Sequence, residues 1–214
     1  MSATPAPRKR RKEARPSELL AAALGLFVEK GFAATRLEDV ALRAGVSKGT
    51  LYLYYENKDA LFKAVIQEGI IPVIAENEAI VAKHTGCSFE LLELLLENWW
   101  TKIGQTAFAG IPKLIVAEAR NFPELASYYY ENVIDRYRAL LGSALQRGMD
   151  RGEFRSMNVE TTVDVAIAPI LMLLIWRFSM SSCQNRESDP QTYLRIHMDL
   201  LRQGLHKPKK ESQV

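Results

Sequence analysis

Between Gly45 and Lys58 the chain reads GVSKGTLYLYYENK, and the side chains with chemical potential in that stretch are of one kind. Lys48, Gly49, Thr50, Tyr52 and Tyr54 fall off the apolar face of a short helix anchored by Leu51, with Tyr55 four residues on along the same face. A lysine ammonium, a hydroxyl, two phenols and a glycine suit close approach to phosphate oxygens and to base edges, thymine methyls included. The same set has poor helix propensity, so something other than helix stability favours it. Groups that would do covalent chemistry form no constellation. His84, His197 and His206 are far apart, and with Cys87 and Cys183 they give no zinc spacing. There is no glycine-rich phosphate loop, and Gly45-Val46-Ser47-Lys48-Gly49 has the spacing of a nucleophile elbow but follows no strand. Glu76 and Glu78 do not converge at helical spacing, so they read as surface charges. An enzyme is not expected, and neither is a metal or a cofactor.

The elements around that stretch can position it. Leu37, Val40, Ala41 and Ala44 repeat at helical spacing, with Thr35 expected as N-cap and Glu38 completing a capping box. Gly45 supplies the left-handed exit, Val46 points back to the core and Ser47 is expected to cap a helix from Lys48 to about Tyr55. Two helices joined by a short glycine-containing turn make a helix-turn-helix, whose second helix enters the DNA major groove. On periodicity alone, a plain hairpin of two amphipathic helices fits equally well. A bracing helix is expected from Ser17, carrying Leu19, Leu20, Ala23, Leu24 and Phe27 and ending at Lys30-Gly31, with Phe32 plugging the small core. Asn57 is expected to cap the next helix, placing Lys58 in its first turn beside a phosphate, and Pro72 kinks or breaks that helix.

From Gly45 to Phe62 the sequence follows G-V-S-K-G-T-L-Y-x-Y-[YF]-x-N-K-[DE]-x-L-[FL], which resembles the DNA-binding signature of the tetracycline-repressor (TetR) family of bacterial transcriptional regulators. With the preceding helices the resemblance covers about residues 17 to 65. It implies a homodimeric, ligand-responsive regulator, most often a repressor, released from a palindromic operator by a small molecule. The alternative is a small-molecule-binding or interaction protein with a vestigial helix-turn-helix. Thr50, Tyr52 and Tyr54 are expected at the major groove, Lys48 at a guanine or a phosphate, and Gly49 at a close backbone approach. Thr35, Ser47 and Lys58 are expected to hold phosphates, with Arg36 a further candidate. The resemblance also implies a pocket, with Trp99, Trp100, Phe108, Tyr128, Tyr129, Met172 and Trp176 as its candidate lining. Plain core packing is the competing reading of each. The last two helices would make the dimer interface as a four-helix bundle, through Leu171, Leu174, Trp176 and Phe178 on one and Leu194, Met198 and Leu201 on the other.

Composition sets the frame. With 48% hydrophobic and 25% charged residues the chain is an ordinary globular one, all-α, with about nine helices. It divides into a disordered basic arm (1–15), a three-helix DNA-binding domain (16–63), a helical regulatory and dimerisation domain (64–205) and a polar tail (206–214). The net charge of +3 hides an asymmetry, because six Lys/Arg against one Glu in residues 1–15 leave −2 for the remainder. The arm is either a source of phosphate or minor-groove contacts or a solubilising tail. Two cysteines make no disulfide framework, which fits a cytoplasmic protein, and both are expected as small buried hydrophobes. Val165 to Trp176 is the longest apolar run, interrupted by Pro169 and short of the ~20 residues of a membrane span. It is expected as a buried helix.

Overall fold

Phe27, Phe32 and Phe62 meet with ring centroids 5.4 to 5.8 Å apart, and the first four helices close around them. The computed structural model describes residues 10–180, 183 and 189–207, with side chains from residue 16 onward. Its helices are α1 (Arg10–Lys30), α2 (Leu37–Arg43), α3 (Lys48–Tyr52), α4 (Lys58–Gly69), α5 (Ile71–Lys83), α6 (Ser88–Trp99), α7 (Ile111–Glu118), α8 (Pro123–Tyr129), α9 (Asp135–Asp150), α10 (Val159–Ser179) and α11 (Pro190–Leu205). A π turn, Tyr130–Ile134, joins α8 to α9, while α4 and α5 are one path broken ahead of Pro72. Taken as continuous paths, the eleven segments make nine helices among the described residues. The only extended pairing described is a single antiparallel bridge from Phe154 to His206, so the residues at the start of the expected polar tail are tied to the body.

Local chemistry sets most of the boundaries. The α2 exit has Gly45 at φ +66°, with Gly45 N–H donating to Leu42 O (3.1 Å) and Val46 N–H to Ala41 O (2.9 Å). That crossed pair is the Schellman termination, which needs a left-handed residue at this point. Ser47 caps α3 and Asn57 caps α4, accepting from the Thr50 and Ala60 amides at 3.1 and 2.8 Å. Cys87 caps α6 through its sulfur and is half-buried, and Cys183 is exposed, so neither is the buried hydrophobe expected.

Two expectations at the first helices are corrected. The first helix starts at Arg10 instead of Ser17 and carries Pro16 inside it. The residues from Arg10 to Arg15 are mostly strong helix formers, and Pro16 forfeits one amide donor without ending the run. Of the expected arm, residues 1–9 lie outside the described residues, whereas 10–15 are helical. Thr35 does not cap α2. It is buried, and its hydroxyl lies 2.7 Å from Gly31 O and 3.2 Å from Leu26 O, closing the C-terminus of α1. Arg36 occupies the N-cap position without a side-chain cap.

The head formed by α1–α4 shares its core with the remaining helices. Phe122, just before α8, stacks edge-on against Phe32 at 4.8 Å. Glu118 accepts from the Ala33 amide at 3.1 Å. A Cβ added at Gly69, the last residue of α4, would enter the Phe108 ring, so glycine there permits a close approach of the joint to the body.

Helix α10 departs most from expectation. Only Val163, Leu173 and Leu174 are buried along its 21 residues. With a mean hydropathy of 1.8 it matches a membrane span in length and composition, yet part of its apolar surface faces the protein and part faces outward. A helix apolar on all sides needs a cover on each.

Candidate nucleic-acid interface and ligand cavity

The recognition face stands on a short helix. α3 spans five residues, ending at Tyr52 and not near Tyr55, and Leu51 fixes it with no exposed surface. Ser47, Lys48, Gly49, Tyr52 and Tyr54 are exposed and Thr50 is half-buried. Ser47 Oγ and Thr50 Oγ1 lie 2.8 Å apart, which couples the cap to the first turn. Leu53, 83% exposed between Tyr52 and Tyr54, joins that surface and was not singled out from sequence. Its only signal was an apolar side chain off the core-facing stripe.

Ion pairs engage three of the acidic residues near this face. Lys48 pairs with Glu38 across α2 and α3 and also sits 5.7 Å from the Tyr52 ring centroid. The hydrogen bond to Glu38 holds the Lys48 ammonium above its ordinary value and the carboxyl below its own. Asp39 pairs with Lys30 at 3.3 Å, and Glu29 takes Arg43 through two bonds of 2.7 and 2.8 Å.

Two expected phosphate ligands are corrected. Thr35 is buried with its hydroxyl directed at backbone carbonyls, so it presents no side chain to DNA. Lys58 turns inward, donating to Phe32 O at 2.6 Å and Ala33 O at 3.1 Å, with its ammonium 4.5 Å from the Phe32 ring centroid. Burial lowers its pKa. Two carbonyls and a ring face outcompete water for a half-buried ammonium.

A cavity of about 400 Å³ lies in the body, bounded by α5–α11. Leu92, Leu95, Leu96 and Trp99 of α6, Ile115 of α7, Tyr129 of α8, Tyr137 and Leu140 of α9, Leu171 and Leu174 of α10, and His197, Met198 and Leu201 of α11 line it. The volume falls in the ~300–1,000 Å³ range of small-molecule sites. Its polar groups are few. Asn77 accepts from Asn98 at 2.6 Å, and the buried His197 donates through Nε2 to Ala166 O at 2.9 Å, since a carbonyl can only accept. Burial lowers the His197 pKa and raises both Tyr129 and Tyr137. Arg138 and Asp164 pair across α9 and α10 on the lining.

The expected pocket set is only partly at the cavity, and four of the expected dimer residues line it instead. Trp99 and Tyr129 line the cavity, but Trp100, Phe108, Tyr128, Met172 and Trp176 do not. Trp100 packs with Leu173, Leu174 and Leu194, Phe108 closes on Gly69, and Tyr128 lies under Lys63. Met172 (52% exposed) and Trp176 (43%) point outward. Of the expected dimer residues, Leu171, Leu174, Met198 and Leu201 line the cavity, Leu194 is buried and Phe178 packs partly against the same cluster as Leu194. The outward apolar residues of α10 and α11 are instead Val165, Met172, Trp176, Met180, Ile196 and Leu200.

A capped recognition helix on the α1–α4 head, joined to a helical body with an apolar cavity, defines a helix-turn-helix DNA-binding regulator. Comparison with known proteins places it further. Residues 19–65 match the model of the bacterial regulatory proteins of the tetR family, and residues 83–180 match the tetracyclin repressor-like C-terminal domain. The uncharacterized HTH-type transcriptional regulator Mb1581 of Mycobacterium bovis is 33% identical over 145 residues, 68% of each chain. The HTH-type transcriptional repressor KstR2 of Rhodococcus jostii is 27% identical over 173 residues, 78% of this chain and 79% of its own. The transcriptional regulator FadR of Bacillus subtilis, solved with stearoyl-CoA, superposes with a TM-score of 0.71 at 20% identity, covering 89% of this chain and 99% of its own. The chain belongs to the TetR family of bacterial transcriptional regulators, a family of DNA-binding proteins and not of enzymes.

Proposed function

We propose that the protein is a homodimeric cytoplasmic repressor that holds a palindromic operator and leaves it when a small apolar molecule fills the cavity. The head, residues 16–63, would read the operator, and the body, 64–205, would respond. The observation that carries this reading is the coexistence of an exposed recognition face at Ser47–Tyr54 with an apolar cavity whose wall includes Ile70, at the joint of head and body. Tyr52, Tyr54 and Thr50 meet base edges, Lys48 a guanine or phosphate, and Arg36 and Ser47 the backbone. The unpartnered apolar face of α10 and α11 supports a two-fold partner, which sets two recognition helices about 34 Å apart. The relative KstR2 is named a repressor, and FadR was solved with stearoyl-CoA, which supports repression and an effector with an apolar chain here.

Fluorescence anisotropy of the purified protein tests this, using DNA upstream of its own gene or, failing that, fragments selected from the genome, against scrambled DNA at near-physiological salt. A preference of about 10³-fold or more establishes sequence-specific binding. The Lys48→Ala, Tyr52→Ala double variant should lose that preference with its helical content intact. Lys48 is engaged by Glu38 and Lys58 is turned inward, so two of the expected phosphate ligands are tied up, which keeps one rival in view: a ligand-binding protein with a vestigial helix-turn-helix. Equal weak binding to every fragment, abolished by removing residues 1–15, would establish the rival.

A further inference from the structure

The lining of the cavity carries formal charge at one place. Arg138 of α9 and Asp164 of α10 are the charged side chains among the lining residues described, with Thr162 beside them on the first turns of α10. The remaining polar lining is otherwise engaged, as with Asn77 and His197, or is aromatic. A ligand that fills this space therefore meets Leu, Ile and Trp surface along most of its length and must place any polar end at the Arg138–Asp164 seam. The two partners there are unequal. The Asp164 side chain is 55% exposed and the Arg138 side chain 31%. Arg138 gives Asp164 both terminal nitrogens, the second at a long 3.4 Å. The more exposed partner returns to water at the lower cost, since a surface pair is worth little. The guanidinium left behind keeps a planar fork that matches a carboxylate or a phosphate. A cationic ligand would have to expel the less exposed arginine instead.

We infer that the cavity takes an anionic amphiphile, whose carboxylate or phosphate head replaces Asp164 on the Arg138 guanidinium while its apolar body fills the space behind. This rests on the reading of the cavity as the effector site. The exchange returns the more exposed Asp164 to water, while the head makes a charge-assisted contact with the guanidinium that a neutral alcohol cannot match. Its consequence is to untie α9 from α10, the helix that carries the outward apolar face. Ligand binding is thereby linked to the placement of that face.

Calorimetric titration of the full-length protein tests the inference with four probes of equal chain length: dodecanoate, dodecanoyl-CoA, dodecanol and dodecyltrimethylammonium, each below its micelle-forming concentration. At least one anion should bind tenfold or more tighter than the alcohol. Arg138→Met should bring the anions down to the alcohol's affinity while leaving the alcohol unchanged, which also shows that the variant's cavity is intact. Asp164→Asn should tighten the anions severalfold by removing the internal competitor. Preference for the thioester over the free acid would assign the head to a phosphate, and the reverse to a carboxylate. Alcohol binding equal to the anions, preference for the cation, no binding by any probe, or an Arg138→Met variant that keeps the anion advantage would each overturn the inference. Release from DNA, read separately by anisotropy, keeps the two readings apart. A neutral compound that releases DNA would sink the anionic head and leave the regulator standing.

Discussion

Lys58 shows how a residue can carry a family signature for a structural reason. Its ammonium is donated to Phe32 O and Ala33 O, and it lies over the Phe32 ring, so it ties the start of α4 to the loop that follows α1. Lys58→Met should therefore destabilise the fold by about 1.5–3 kcal/mol, the range for hydrogen bonds to a charged group. It should leave the salt dependence of operator binding unaltered, whereas a lost phosphate contact would lower the slope by about 0.9. Urea unfolding and a salt titration read the two effects apart. His197 supplies a pH dependence. Burial lowers its pKa, so the unfolded chain takes up a proton that the folded chain refuses. Its contribution to stability is complete above the ordinary imidazole value of 6.5 and declines as the pH falls below it. His197→Gln should flatten that decline, seen as urea midpoints compared at pH 7.5 and pH 5.5. The sequence showed which residue types crowd the recognition stretch, and the exposed set from Ser47 to Tyr54 stands where the motif placed it. It could not show Thr35 and Lys58 turned inward, because a hydroxyl or ammonium satisfied by carbonyls across a turn has no signature in spacing.

At the scale of the element, α3 is the weakest piece of the head. Five residues with Gly49, Thr50 and an aromatic have little helical stability of their own, so the helix depends on its cap and on Leu51. Ser47→Ala removes both the bond from the Thr50 amide and the contact with the Thr50 hydroxyl. Stability should fall by about 1 kcal/mol. Amide exchange in α3 should accelerate ahead of the rest of the head, and operator affinity should drop. Unchanged exchange at Thr50 and Leu51 would show that the cap is dispensable. Three of the caps and exits in the head were legible because they depend on single residues: Gly45, Ser47 and Asn57 do as their types dictate, whereas Thr35, expected to cap α2, is drawn to the carbonyls at the end of α1. The lengths were less so. α1 runs past Pro16 toward the N-terminus, and α3 stops short of Tyr55, since length is settled by packing and by neighbours such as Leu51 more than by propensity.

For the whole molecule, the decisive ambiguity was the phase of α10. Apolar residues occupy all its sides, so a helical stripe cannot be assigned from sequence. The fold resolves it: Leu171 and Leu174 turn to the cavity, while Met172 and Trp176 are exposed, as are Ile196 and Leu200 of α11. Neighbouring positions on one helix thus face the cavity and, on the proposed reading, the partner. That interleaving lets a shift of α10 reach both. A monomer would leave Trp176 and Leu200 exposed, apolar surface of the kind that marks an interface. Trp176→Glu with Leu200→Glu places like charges on both sides of a two-fold contact, where every residue meets its own symmetry-related surroundings. The double variant should sediment as a folded monomer. Its operator binding should weaken to that of a single half-site, while its cavity, lined from the opposite side of α10, should keep its ligand affinity. A variant that stays dimeric would place the interface on another surface. One that loses the ligand as well would show that the cavity is completed only by the second copy.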